Sequence, residues 1–438
     1  MKSSNLQRKT FAAPNGLKLW AAVIFTTLLA LVPSRVSGQG TLDAAPSSLT
    51  FEEQLLPNQA EDIFASGGAK PVEAPAGNVA EPKSFQLVSE TPGSIFFPQT
   101  KTTIKIGGYF KLDSIFDFDD AGNRFLFDTN SIPVGCQRGE QLTIHARQSR
   151  LNIDAMTPTE LGDLHLFCEG DFFGDGSQLR MRHAYGELGG LLAGQTWILA
   201  VDDQAIPETL DFYGPEGAAL FRRPQVRLTL QPTDAITFAT SVHDPIDSIN
   251  TTAAGEQRGR VPVFVSSVRF QGEQGHLYIA AGLGENRFVP DAGRSSTAFG
   301  WGNTISFMKP FGDDKLIVQG GVSEGFTEFL PGSGTETSLI GELEALFSYG
   351  YVIAWQHHWT DSLRSNWTYR SAIVSNSTYQ PTDALHRHSY NAVNLIWSPL
   401  KSRSVDIGAE YLWGRRENKD GHSASAHRLQ LSVTWRLP

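Results

Sequence analysis

The chain has 438 residues, a formal net charge of -10, 42 glycines and two cysteines. An acidic balance of that size argues against nonspecific nucleic-acid binding, and two cysteines cannot build a disulfide scaffold. The mean hydropathy of -0.22 looks soluble, but a membrane barrel averages to such a value because lipid-facing apolar residues alternate with polar lumen residues.

In chain order, Lys2, Arg8, Lys9 and Lys18 precede the apolar run Leu19–Val32, and the small residues Val36-Ser37-Gly38 follow. This is the pattern of an export signal peptide over residues 1–38, with an apolar run short for a spanning helix. Residues 39–94 are rich in Pro, Ala, Ser, Gly and acids without a sustained period, and read as a flexible periplasmic segment. Residues 51–64 could form a short helix, interrupted by Pro57.

From Ile104 the period changes to two. In residues 148–155, Arg150, Asn152 and Asp154 alternate with Leu151, Ile153 and Ala155, as in a half-polar strand. Residues 164–173 and 178–188 are the third and fourth strands, joined by a small connection at Gly174-Asp175-Gly176-Ser177. Gly189-Gly190 turns into a fifth strand at residues 191–199. Eleven more alternating runs follow, separated by turn signals such as Gln231-Pro232-Thr233-Asp234 and Thr360-Asp361-Ser362. In the last, Leu429, Leu431, Val433, Trp435 and Leu437 share one face, while Gln430, Ser432, Thr434 and Arg436 share the other. Sixteen strands with connections alternating short and long predict an all-β fold over residues 95–438: a sixteen-stranded antiparallel transmembrane up-and-down β-barrel with short periplasmic turns and long outer loops.

An Arg facing lipid near the midplane costs about 2–4 kcal/mol, so Arg150, Arg180, Arg182 and Arg227, all within strands, are expected to face the lumen. Glu169 and Asp171 share a face of the strand before Arg180 and Arg182, which sets acid opposite base across a hairpin. Opposed charges create a transverse field that orients polar solutes, or they only balance one another. The connection at residues 200–220 is long enough to fold back into the lumen and narrow it. Its acids Asp202, Asp203, Glu208, Asp211 and Glu216 would then confront Arg180, Arg182, Arg222, Arg223 and Arg227. The alternative is a loop that caps the outer mouth.

Other chemistries find little support. His357 and His358 are adjacent and face opposite sides of a strand; His386 and His388 share a face without a third ligand. No P-loop, dinucleotide fingerprint, zinc spacing or G-x-S-x-G nucleophile motif occurs. No cofactor or metal is expected, and Cys136 and Cys168, one in a loop and one in a strand, are not expected to pair.

Several stretches carry a family likeness: IKIGGYFKLDSIFD at 104–117, QSRLNIDA at 148–155, EGDFFG at 169–174 and LRMRHAYGEL at 179–188. AGQTW at 193–197, PETLDFYGPEG at 207–217, EYLWGRRENKDG at 410–421 and HRLQLSVTWRL at 427–437 continue it. In these the chain resembles the DcaP-like porins, trimeric outer-membrane channels for dicarboxylates and other small anions. The resemblance implies a homotrimer in outer-membrane lipid, with Arg150, Arg180, Arg182 and Arg227 in the strands that line a constriction and Arg222 and Arg223 just after the matched loop. It departs from the family in lacking heptads over residues 39–94 and in ending Trp435-Arg436-Leu437-Pro438. The reading is a passive porin of the bacterial outer membrane, not an enzyme, passing small hydrophilic solutes with a preference for anions. Its rivals are a substrate-specific channel with a saturable site and a surface enzyme or adhesin on a barrel scaffold.

Overall fold

Strict alternation of apolar and polar residues cannot be satisfied by a helix, and the chain resolves it as one closed sheet. The computed structural model describes residues 93–437 except 137, 216–220, 245–248, 252, 331–334 and 338–341. The expected signal peptide, nearly all of the 39–94 segment and Glu216 therefore lie outside the described residues.

The sixteen barrel strands are β1 (Thr102–Asp117), β2 in two pieces (Gln141–His145 and Arg150–Thr159), β3 (Gly162–Asp171), β4 (Arg180–Leu188), β5 (Leu191–Trp197), β6 (Arg222–Thr233), β7 (Ile236–His243) and β8 (Val263–Gly272). They continue as β9 (Gly275–Pro290), β10 (Ser296–Phe311), β11 (Asp314–Glu324), β12 (Phe347–Thr360), β13 (Leu363–Val374), β14 (Leu385–Trp397), β15 (Val405–Asn418) and β16 (Ser423–Arg436). Neighbours pair antiparallel in chain order, and β16 returns to β1 from Tyr109↔Arg436 to Asp117↔Arg428. Closure leaves the barrel no open edge, the condition for backbone to cross lipid. At the seam, the Arg428 guanidinium donates to Asp117 at 2.6 Å with both side chains buried. A short strand, Ser94–Phe97, folds back on the start of β1.

The two faces of the wall have opposite chemistry. Outward positions carry Leu431, Trp435, Ile407, Tyr411, Leu395 and Trp397, each more than two-fifths exposed. Inward neighbours such as Gln430, Ser432, Asn394 and Glu410 are buried beneath loops that enter the barrel. Of the three apolar clusters among the described residues, two are the larger ones. One joins Ile198, Leu199, Ala200 and Val201 to Val263, Val265, Phe326 and Phe329; the other joins Phe127 and Ile132 to Tyr390 and Leu412.

Candidate constriction of the channel

The β3–β4 hairpin supplies the first charged face. Asp171 accepts hydrogen bonds from Arg180 Nε and Nη2 at 3.0 and 2.8 Å and from Arg182 Nη1 at 2.9 Å. Glu169 accepts from Arg182 Nε at 2.7 Å and lies 3.9 Å from Arg150. The pairing passes from Glu169↔His183 to Gly170↔Met181, leaving Arg182 as an extra residue. A bulge of this kind turns consecutive side chains to one face, so both Arg182 and His183 line the interior. Strand alternation in the sequence gave no sign of it.

The connection from β5 to β6 enters the lumen, which excludes the cap reading for its described part. It follows the interior wall, held by one strand after another. Tyr278 Oη of β9 donates to the Leu199 carbonyl at 2.6 Å, and Thr304 Oγ1 of β10 to that of Ala200 at 3.1 Å. Asp202 is bound by His276 at 2.6 Å, Ser306 at 2.7 Å and Arg269 at 3.0 Å. Gln319 of β11 donates to the Ala205 carbonyl at 2.7 Å. Glu208 takes Arg364 of β13 at 2.7 Å and Gln356 of β12 at 2.8 Å.

At the far wall the Leu210 and Asp211 N–H groups donate to Glu410 of β15 at 2.8 and 2.7 Å. The Leu210 carbonyl accepts from Lys111 of β1 at 2.5 Å and Gln430 of β16 at 2.9 Å. Gly408 makes room for the Leu210 side chain, since a Cβ there would lie 2.9 Å from Leu210 Cδ1. Burial acts to raise the Asp202 carboxyl, but hydrogen bonds from His276 and Ser306 and the Arg269 charge hold it below the usual range. The same contest at Glu208 is decided by Arg364, again downward. Asp211 goes the other way: burial pushes it up to about 6, against Arg428, Lys111 and the N–H groups of Phe127 and Gly214.

These contacts correct the expected arrangement of the loop acids. Asp202, Glu208 and Asp211 do not face Arg180, Arg182, Arg222, Arg223 and Arg227; they are engaged by groups on β8 to β16 or by backbone N–H. Asp203 is bound to Arg269 at 3.0 Å. A buried carboxylate binds the donors of the wall it touches, and the loop runs along the wall opposite the arginines. Arg223 is likewise taken by Glu328 at 2.5 Å. Arg227 donates to the Trp197 carbonyl and to Gln225. Arg222 stacks over Trp197 with its guanidinium carbon 4.3 Å from the ring centroid.

What the loop turns toward the arginines is an aromatic ring. Phe212 stacks on Phe173 at 4.1 Å between centroids, and the guanidinium carbons of Arg150, Arg180 and Arg182 lie 5.5 to 5.7 Å from it. Two cavities meet here. The outer, about 470 Å³, is lined by Arg147, Arg150, Arg180, Arg182 and Arg222 with Phe125, Phe173, Phe212, Tyr213 and Phe221, and by no carboxylate. The inner, about 780 Å³, adds Glu169, Glu187, Asp203, Arg227 and Arg269. Arg150, Arg182, Trp197 and Ile206 line both, and mark the neck between them.

Sequence reasoning missed Arg147, which sits on the link between the two pieces of β2, and the docking residues Lys111, His276, Arg364 and Glu410. Only their placement inward within alternating strands could have flagged them. His388 is buried between Thr129 and Arg370, each at 3.0 Å, and His386 bonds Asn376 at 2.9 Å. No group of three or more metal-ligating side chains forms among the described residues. Cys136 and Cys168 are free thiols.

Comparison with known proteins agrees with this architecture. The crystal structure of the outer membrane channel DcaP of Acinetobacter baumannii is similar with a TM-score of 0.70 and 20% identity, covering 79% of this chain and all of that one. An anion-selective porin from Comamonas acidovorans is similar at 0.51 and 10% identity, covering 77% of this chain and all of that one. OmpF of Salmonella typhi in complex with daunomycin is similar at 0.51 and 9% identity, covering 78% and 100%. At such identities the likeness is one of fold. No curated protein matches the chain. The family model described as DcaP outer membrane protein matches residues 78–435. A closed sixteen-stranded barrel whose sequence matches that model over nearly all its length is an outer-membrane channel protein, and the chain belongs to the DcaP outer membrane protein family.

Proposed function

We propose that the channel passes small hydrophilic solutes by passive diffusion and prefers small anions, dicarboxylates among them. The observation that carries this is the outer cavity, with five arginines and no carboxylate in its lining. The nearest acids, Glu169 and Asp171, are occupied by Arg180 and Arg182, so five guanidiniums face two carboxylates. Dry walls focus this surplus field on the passage and raise the local concentration of anions. In this reading Arg150, Arg180, Arg182 and Arg222 set the selectivity, and Arg223, Asp202, Glu208 and Asp211 fix the geometry. The Comamonas neighbour, an anion-selective porin, is consistent with the same polarity. The functional unit is proposed to be a homotrimer in outer-membrane lipid.

Reversal potentials across a salt gradient in planar bilayers test the reading. Wild type is expected to favour the anion, and Arg180→Ala/Arg182→Ala to shift the potential toward zero. Cation preference in the wild type overturns it, while hydrolytic activity without conductance would mean a different class of protein.

A further inference from the structure

Residues 325–330, Gly-Phe-Thr-Glu-Phe-Leu, directly follow β11 on the outer side. Two phenylalanines in an outer loop would be exposed if the loop stood in water. Here Phe326, Glu328 and Phe329 are fully buried, and Leu330 nearly so. The two rings lie 5.1 Å apart and pack on Ile198–Val201 of the β5–β6 loop and on Val263 and Val265 of β8.

The wall is shaped to receive them. A Cβ on Gly302 of β10 would come 2.3 Å from Phe329 Cγ, and one on Gly282 of β9 2.7 Å from the same ring. The segment is also pinned by polar contacts. Asn286 Nδ2 donates to the Gly325 carbonyl at 2.6 Å, and Ser323 Oγ to that of Phe326 at 2.7 Å. Glu328 accepts from Arg223 at 2.5 Å and bonds His243 at 2.8 Å.

We propose that residues 326–329 form a selectivity-determining plug. They seal the outer part of the β8–β10 side of the lumen and confine solute there to the side lined by Arg150, Arg180 and Arg182. The wall residues packed on the plug, Val263, Val265, Gly282 and Gly302, carry no charge, and Arg269 and His276 further along that wall are already taken by Asp202. A path along it would pass ions of either sign past the arginines at a distance where solvent screens them. Glu328 has the second role of removing Arg223 from the passage. The inference rests on the reading of the arginine-lined cavities as the solute path.

The test uses full-length protein in planar bilayers with Phe326→Ala/Phe329→Ala and, separately, Gly302→Val, which fills the Phe329 socket. Opening the second path is expected to raise single-channel conductance roughly twofold, as open cross-section grows, and to bring anion and cation permeabilities toward equality. Unchanged conductance and selectivity in both variants overturn the plug. If Arg180→Ala/Arg182→Ala shifts selectivity while the plug variants do nothing, the plug fails and the anion reading stands. A second measurement leaves the plug in place: Val265→Cys, on a Cys136→Ser/Cys168→Ser background, challenged with a charged methanethiosulfonate reagent. Val265 is 1% exposed and packs with Phe326 and Phe329, so modification should be slow with the plug intact and fast when Phe326→Ala/Phe329→Ala is added. Fast modification with the plug intact refutes the proposal.

Discussion

Glu410 is the point at which the in-folded loop is fastened to the far wall. Its carboxylate is 1% exposed and accepts from the Leu210 and Asp211 N–H groups at 2.8 and 2.7 Å and from Asn394 Nδ2 at 2.9 Å. Leaving a buried N–H without its acceptor costs about 1–3 kcal/mol, so Glu410→Ala should cost the loop about 2–6 kcal/mol of docking from the two backbone bonds. Lys111 and Gln430 still hold the Leu210 carbonyl, but those bonds do not replace the acceptor that Glu410 gives the two N–H groups. At about 1.4 kcal/mol per factor of ten, the ratio of docked to released tip falls by about one to four orders of magnitude. The Asp202 and Glu208 anchors are untouched, so the released part is the segment around Leu210 to Phe212. Single-channel recordings should show frequent transitions between conductance levels in Glu410→Ala that are rare in wild type. Amide hydrogen exchange at Leu210 and Asp211 should accelerate in parallel. Glu410→Gln keeps one acceptor oxygen and should fall between them. A Glu410→Ala channel with wild-type noise and wild-type exchange at both amides would refute the assignment of this carboxylate as the fastening.

Phe212→Ala removes one stacked pair and three guanidinium contacts, worth about 2–4 kcal/mol together, and should raise conductance while lowering the thermal stability of the folded barrel slightly; a drop in conductance counts against Phe212 narrowing the neck. The pH response should have two parts of opposite sign. Asp202 and Glu208 are depressed below 3.8 and 4.5, so their share of docking is complete above those values and lost as pH falls through the lower native ones. Asp211 is raised to about 6 from 3.8, so its share is greatest below 3.8 and declines as pH climbs to about 6. Asp211→Asn should therefore flatten the pH dependence of channel noise across that upper window and leave the acid release intact, as recordings over a pH series will show. Gly108 holds φ 124° at a point where a Cβ would come 2.1 Å from the Arg150 carbonyl; Gly108→Ala should reduce the yield of heat-modifiable folded barrel, and an unaltered gel shift speaks against strain there.

Strand number and facing were legible because lipid and lumen impose opposite chemistries on consecutive residues, and Leu429 to Leu437 show that period to the end. The Arg180–Asp171 and Arg182–Glu169 partnerships were legible for the same reason, being neighbours across one hairpin. The path of residues 198–215 was not. Which carboxylate meets which donor there depends on contacts separated by up to 220 residues, as between Leu210 and Gln430, and no local pattern encodes them. Arg223 looked like its neighbour Arg222 in the sequence, yet Glu328 binds it from another loop. The bulge at Arg182 escaped because one inserted residue leaves no compositional mark.

The Asp117–Arg428 contact at the seam also bears on assembly. Its partners are 311 positions apart, so one edge of the first strand, the other being paired with β2, must wait until nearly the whole barrel has been threaded. Contacts of such separation make closure late and slow. A slip of one residue in the β1–β16 register turns every side chain of the slipped strand to the other face. Arg428 would then face lipid at a cost of about 2–4 kcal/mol if near the midplane. The buried pair thus acts as a proofreading contact, rewarding the one alignment in which the last strand closes the ring.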